Sequence, residues 1–140
     1  MSHYGIYGAW LQNERLVTVR KSRGPYLGML DLPGGSPEGS ESRLETLERE
    51  LLEECGVMGI TVRSWHDFDF LVEFTSAGEP LNERHRGLVA LVEVATPVEQ
   101  VRDVEDVAAV ELIDPRAHAT AELTPPLRMA VLLLKAGIKH

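Results

Sequence analysis

The chain is poor in cysteine, in basic charge and in long apolar runs, and each shortage excludes something. Its one cysteine, Cys55, has no partner for an internal disulfide, which suits a reducing, cytoplasmic setting. No apolar run approaches the roughly 18 residues that a membrane-spanning helix needs, so no membrane partner is expected. Met1 to Gln12 has no basic stretch ahead of its short apolar run and no small-residue cleavage site, so no signal peptide is expected. Lysine and arginine number 14 against 22 aspartates and glutamates, a net charge of −8. Affinity for a nucleic-acid backbone comes from neutralising phosphates with basic side chains, so generic nucleic-acid binding is not expected either. If such a chain handles phosphates, a bound divalent cation is the obvious source of positive charge.

What is present is the profile of a globular protein: 140 residues, 44% hydrophobic and 26% charged, without repeats or low-complexity segments. One domain over residues 1–140 with one core is expected. Tyr4 to Leu11 and Arg15 to Lys21 read as strands, the second alternating Leu16, Thr18, Arg20 against Val17, Val19, Lys21. A short apolar segment, Met29 to Leu32, runs into Pro33-Gly34-Gly35. Glu41 to Cys55 reads as a helix with Ser40 as N-cap, Gly56 as the residue after its end, and Leu44, Leu47, Leu51 and Cys55 as its buried stripe. Strands follow at Val57 to Val62, Trp65 to Phe74, Leu88 to Val94 and Val107 to Ile113, with a polar loop from Thr75 to Arg86. A last helix runs from Pro125 to about Ala136, capped by Thr124 and ended by Gly137. Strands interleaved with helices point to a mixed α/β sheet covered by helices.

The informative segment is Gly35 to Val57. Glu50, Glu53 and Glu54 stand at i, i+3 and i+4, within an arc of roughly 100° on one helical face. Like charges so spaced repel, and they crowd toward the helix C-terminus, where the macrodipole disfavours negative charge. A hard divalent cation such as Mg²⁺ relieves that penalty, because it favours oxygen ligands. Arg49, with its fork of donors, can hold a carboxylate in one orientation, and Glu41 is a candidate for that carboxylate or for an outer metal ligand. Gly34 and Gly35 let the backbone approach closely, and a carbonyl there could complete a metal shell. An acidic, solvated helix face with a glycine cap is the bland alternative. Yet seven fixed residues and two aliphatic ones at this spacing would arise by chance on the order of once in a million such chains.

The pattern is Gly35, five residues, Glu41, seven residues, then Arg49-Glu50-Leu51-Leu52-Glu53-Glu54-Cys55-Gly56-Val57. It resembles the signature of the Nudix hydrolases at every fixed position, over 23 of the 140 residues. The resemblance implies an α/β/α sandwich and hydrolysis of a nucleoside diphosphate linked to another moiety, with Mg²⁺ or Mn²⁺. It implies Glu50, Glu53, Glu54 and the Gly34 carbonyl as metal ligands. It also implies Glu50 as general base, Arg49 as the residue orienting it, and Glu41 as a support of that network. Water would attack a phosphorus of the pyrophosphate, with a carboxylate such as Glu50 accepting its proton. One departure is local: many relatives carry Glu-x-Gly-Glu before the helix, whereas here the order is Glu38-Gly39-Ser40-Glu41. Cys55, where relatives often carry threonine, reads as a packing residue.

Beyond the signature the candidates are less specific. Relatives often draw a further acid from the loop before a late strand, and Glu105, with Asp106 behind it, could be an extra ligand or the alternative base there, or belong to an exposed acidic loop. Arg20, Lys21 and Arg23 could contact substrate phosphates or be solvated strand edges. Tyr7, Trp10, Phe70 and Phe74 could stack on a base but read first as core, and His66 and His85 read as ordinary surface or core residues. Relatives that cleave ADP-ribose often carry a proline soon after the signature, and those that cleave dinucleoside polyphosphates a tyrosine slightly further on. Here the first proline after Val57 is Pro80, and no tyrosine follows Tyr26. That leaves nucleoside triphosphates, normal or oxidised, as the favoured substrates. The alternatives are a hydrolase of ADP-ribose or nucleotide sugars, and a nucleotide-binding sensor that does not cleave. Family analogy allows a homodimer.

Overall fold

The computed structural model describes residues 2–99, 107–117 and 120–138. Strand β1 (Ser2–Ala9) runs parallel to β7 (Pro80–Glu93), with Gly5 opposite Gly87 and Ile6 opposite Leu88. Strand β6 (Thr61–Phe74) pairs antiparallel with β7, and the two-residue β5 (Gly34–Gly35) pairs antiparallel with β1, giving a mixed sheet of order β5-β1-β7-β6. A second sheet forms around β3 (Arg15–Lys21), which pairs antiparallel with β2 (Leu11–Gln12), β4 (Leu30–Asp31) and β8 (Val107–Ile113). Among the described residues there are also two α-helices, α1 (Arg43–Cys55) and α2 (Pro125–Ile138), and two short 3-10 helices, Pro115–Ala117 and Thr120–Glu122.

Alternation along the strands sends side chains into two cores. Ile6, Val17, Val19, Ala90 and Val92 meet Leu47, Leu51 and Cys55 of α1. Their neighbours Tyr7, Leu16 and Val89 meet Leu127 and Ala130 of α2. The sheets are therefore apolar on both faces, each face covered by a helix, and this is the α/β/α sandwich expected. Four consecutive residues of β3, Leu16 to Val19, are buried for this reason. Gly8 of β1 lets α1 sit close: a Cβ there would lie 3.0 Å from the Leu51 Cδ1. No helix among the described residues is long and apolar enough to cross a membrane.

Several boundaries differ from expectation: the first strand stops at Ala9, with Leu11 in β2, and the strands expected at Val57 to Val62 and Trp65 to Phe74 are one strand, β6, which starts only at Thr61. The N-cap of α1 is Ser42, not Ser40, because only Ser42 has a glutamate three residues on: its Oγ accepts from the Glu45 N–H while Glu45 accepts from the Ser42 N–H. Leu44, expected in the buried stripe, is exposed, whereas Thr46 and Glu54 are buried beside Leu47, Leu51 and Cys55. The hairpin is also longer than expected. Residues 80–86, expected as loop, belong to β7, and only residues 75–79 connect it to β6. Helix α2 continues through Gly137 to Ile138.

Candidate functional site

Helix α1 ends as its sequence prescribes. Gly56 is left-handed at φ 69°, and its N–H closes on the carbonyls of Leu51 and Leu52. The helix lies against β1 and β5, so its acidic face looks across the Pro33-Gly34-Gly35 loop. Because α1 starts at Arg43, Glu41 lies outside it and is free to fold back over the first turns. The turn that brings it round uses Gly39 at φ 55°, with the Glu41 N–H donating to the Glu38 carbonyl. The displaced glycine of this loop thus supplies its left-handed residue.

Arg49 is the hub. Its Nε donates to Glu41 Oε2 at 2.8 Å and its Nη2 to Glu41 Oε1 at 3.0 Å, a two-pronged grip. Nη1 donates to Glu50 Oε1 at 2.9 Å and reaches Glu53 Oε2 at 3.5 Å, while Nη2 also donates to the Ser36 carbonyl at 3.1 Å. Glu41 further accepts from the Glu38 N–H and the Thr46 hydroxyl. The Arg49 guanidinium holds the Glu41 carboxyl down at about 2, so Glu41 is a fixed anion that fixes Arg49.

The three helical acids differ in burial. Glu53 is half-exposed, the Glu50 side chain is 15% exposed, and Glu54 is only 4% exposed. Burial lifts Glu50 above the ordinary carboxylate range against the pull of Arg49, with Glu53 and Glu38 adding repulsion. Glu54 is lifted well above it, by burial first and by the charges of Glu50 and Asp31 as well. Glu54 Oε1 accepts from the Gly34 N–H at 2.7 Å, and Glu54 forms no ion pair among the described residues. Gly34 and Gly35 are required here. A Cβ on Gly34, at φ 150°, would lie 2.2 Å from the Ile6 carbonyl oxygen, and one on Gly35 would lie 2.5 Å from Glu50 Oε1. Glu50, Glu53 and Glu54 all line one cleft of about 760 Å³, although no three acids or histidines among the described residues are already drawn together as a metal cage.

The same cleft is also lined by Lys21, Arg23, Tyr26, Asp31, Tyr7, His3 and His85. Of the three basic candidates, Lys21 and Arg23 line the cleft and Arg20 does not. Its Nε and Nη2 donate to Glu111 at 2.6 and 2.9 Å, and its Nη1 donates to the Gly28 carbonyl, so Arg20 braces β3 against β8. Glu105 and Asp106 lie outside the described residues.

His85, expected to be unremarkable, is buried at the centre of a chain of three rings. Tyr7 Oη lies 3.0 Å from His85 Nε2, and Tyr26 Oη lies 2.8 Å from Nδ1. Burial holds His85 down at about 4, and the charges of His3 and Lys21 push the same way. Asp31 is fully buried and accepts from the Thr124 hydroxyl and the Leu32 N–H. A lone acid in the apolar run Met29 to Leu32 was the one available signal for it. Nothing in the polar segment around His85 marked that residue.

Against known proteins, the family model described as NUDIX domain matches residues 2–132. No curated protein sequence matches the chain. Among solved structures it is similar to a MutT NUDIX hydrolase from Burkholderia pseudomallei, at 20% identity over 94% of this chain and 97% of that one, with a TM-score of 0.70. It is similar to a NUDIX hydrolase from Nitrosomonas europaea, at 18% identity over 98% and 90%, with a TM-score of 0.75. It is also similar to a bifunctional NMN adenylyltransferase/ADP ribose pyrophosphatase complexed with AMP and a Mn ion, from Francisella tularensis. That match has 16% identity over 98% of this chain and 42% of that one, with a TM-score of 0.70. With the family model spanning nearly the whole chain, and with the sandwich and its acidic cleft in place, this chain belongs to the NUDIX domain family and is an enzyme of the Nudix-hydrolase type.

Proposed function

We propose that this chain hydrolyses a pyrophosphate bond in a nucleoside diphosphate linked to another group, with nucleoside triphosphates, normal or oxidised, as the favoured substrates and Mg²⁺ or Mn²⁺ as the cofactor. The observation that carries this reading is the pairing of Glu54 with Glu50. Two buried or half-buried carboxylates face one cleft, and Glu54 has no cation bonded to it among the described residues. Isolated buried negative charge is expensive, and hard oxygen donors suit a hard divalent cation. Glu50, Glu53, Glu54 and the Gly34 carbonyl would hold it, and Glu105 is kept as an additional ligand. When bound, the cation supplies neutralisation of phosphate charge and a lowered pKa for the attacking water.

The chain's own residues do the rest. Glu50 takes the proton of the attacking water, and its raised pKa brings it nearer the range in which a general base works at neutral pH. Arg49 sets the direction of the Glu50 carboxylate, and Glu41 fixes Arg49. Lys21 and Arg23, which line the same cleft, bind phosphate oxygens.

A panel of nucleoside triphosphates, nucleotide sugars, ADP-ribose and dinucleotides, incubated with Mg²⁺ and resolved by chromatography, tests the reading. A nucleoside monophosphate product is expected from at least one of them, and Glu53→Gln should remove most of that turnover with the fold intact. Failure to cleave every compound, with binding retained, would favour the sensor alternative instead.

A further inference from the structure

We infer that the Tyr26 hydroxyl is a hydrogen-bond donor aimed into the cleft, that it recognises a phosphate oxygen of the bound nucleotide, and that its direction is set by Tyr7 acting through His85. The inference rests on the nucleotide reading above and deepens it by adding a recognition residue and a positioning residue.

Proton accounting fixes the direction. A tyrosine hydroxyl has one proton to donate, and a neutral imidazole donates from one nitrogen and accepts at the other. Among the described residues, the Tyr7 hydroxyl has no hydrogen-bond partner except His85 Nε2, and that contact is buried. If Nε2 carried the proton, the Tyr7 O–H would be stranded without an acceptor, and a buried unsatisfied donor is costly. Tyr7 therefore donates to Nε2. The imidazole proton then sits on Nδ1, and Nδ1–H donates to Tyr26 Oη at 2.8 Å. Tyr26 has spent an acceptor site on His85, and its own O–H remains for the cleft that it lines together with Lys21 and Arg23.

Packing holds the relay in this state. A charged imidazole would donate from both nitrogens and strand Tyr7 again, but burial keeps His85 neutral, aided by His3 and Lys21. Phe68 meets the imidazole edge-on at 5.1 Å between ring centroids and fixes its plane. Gly5 leaves the space that Tyr7 fills, since a Cβ at Gly5 would lie 2.5 Å from Tyr7 Oη.

Two independent readouts test the inference. The first is the His85 tautomer in the wild-type protein, read from long-range proton–nitrogen NMR spectra and assigned with a His85→Gln variant. An unprotonated Nε2 is expected, and a protonated Nε2 would overturn the relay whether or not the protein hydrolyses anything. The second is calorimetric binding of ADP and of inorganic pyrophosphate with Mg²⁺ present. Tyr26→Phe, which keeps the ring, should weaken both by roughly ten- to a hundredfold, the range for a hydrogen bond to a charged acceptor. Tyr7→Phe should lose the Nδ1–H tautomer and weaken ADP by a similar factor, and the double variant should be no worse than Tyr26→Phe alone. Equal affinity of Tyr26→Phe and wild type, weakening for ADP but not pyrophosphate, or no binding by the wild type would each overturn the phosphate assignment. Altered binding in the variants without any hydrolysis by the wild type would sink the hydrolase reading and leave this one standing.

Discussion

The contact between Gly35 and Glu50 shows how little room the site leaves for a side chain. Glu50 Oε1 occupies the space where a Gly35 Cβ would lie, 2.5 Å away, while Arg49 pulls the same oxygen from the other side. Gly35→Ala must therefore rotate Glu50 away from Arg49 or shift the loop, at a residue whose misplacement by even an ångström is expected to cost on the order of a hundredfold in rate. The expected outcome is a fall in kcat of that order with little change in KM, measured on whichever nucleotide the panel selects; unaltered kcat there and in Glu50→Gln together would remove Glu50 from the chemistry. This part of the site was legible in the sequence because it is written locally. Glu41, Arg49, Glu50 and Gly35 lie within sixteen residues, and the short strand, the turn and the helix that follow one another there set their relations. Asp31, Tyr26 and His85 were not legible. Tyr26 and His85 are 59 residues apart, and only the pairing of β1 with β7 carries His85 to Tyr7. Arg20 stayed between two readings for a like reason: its partner Glu111 lies 91 residues away on β8.

At the scale of elements, α1 is held at both ends by local chemistry and along its length by burial. The reciprocal bonds of Ser42 and Glu45 satisfy two N–H groups that the first turn leaves open, and Ser42→Ala is expected to cost about 1 kcal/mol. Urea unfolding would measure it as a lower midpoint at unchanged slope. The same substitution at Ser40, outside the helix, should be near neutral, and the reverse result would return the cap to Ser40. The cap was misplaced in the sequence because serine is acceptable at both positions, and only the capping box separates them. The long hairpin was misread for a related reason. The outer half of β7 carries Glu83, Arg84 and Arg86, and the exposed Arg84–Asp69 pair spans the strands at 2.8 Å, so the segment has the composition of a loop with the backbone of a strand. Hydrophobic alternation marks a strand only where one face is buried, and this half of the hairpin mostly lacks that.

The whole molecule responds to acid through groups of opposite sign. Glu50 and Glu54 bind protons more readily folded than unfolded, so their contribution to stability grows as pH falls. Glu41, Asp69 and Asp114 are held below their ordinary values, and their contribution is lost in acid. His85 belongs with the second group by a different route. Its folded pKa is depressed to about 4 against an ordinary 6.5, so between those values the unfolded chain binds the extra proton. Stability from His85 is thus fully present above about pH 6.5 and is withdrawn as pH falls toward 4, by about 3 kcal/mol at most. The groups that face it argue for this sign: Tyr7 and Tyr26 take its two nitrogens, Phe68 shields it, and His3 and Lys21 repel a second charge. Comparing wild type with His85→Gln isolates the term, because the carboxylates are common to both. His85→Gln is expected to be less stable at pH 7, having lost a packed ring and its bonds, and the gap should narrow steadily from pH 6.5 to 4. A gap that stayed constant across that window, measured by denaturant unfolding at each pH, would mean that His85 takes up its proton inside the folded protein, and the ring chain beneath the cleft would then be wrongly drawn.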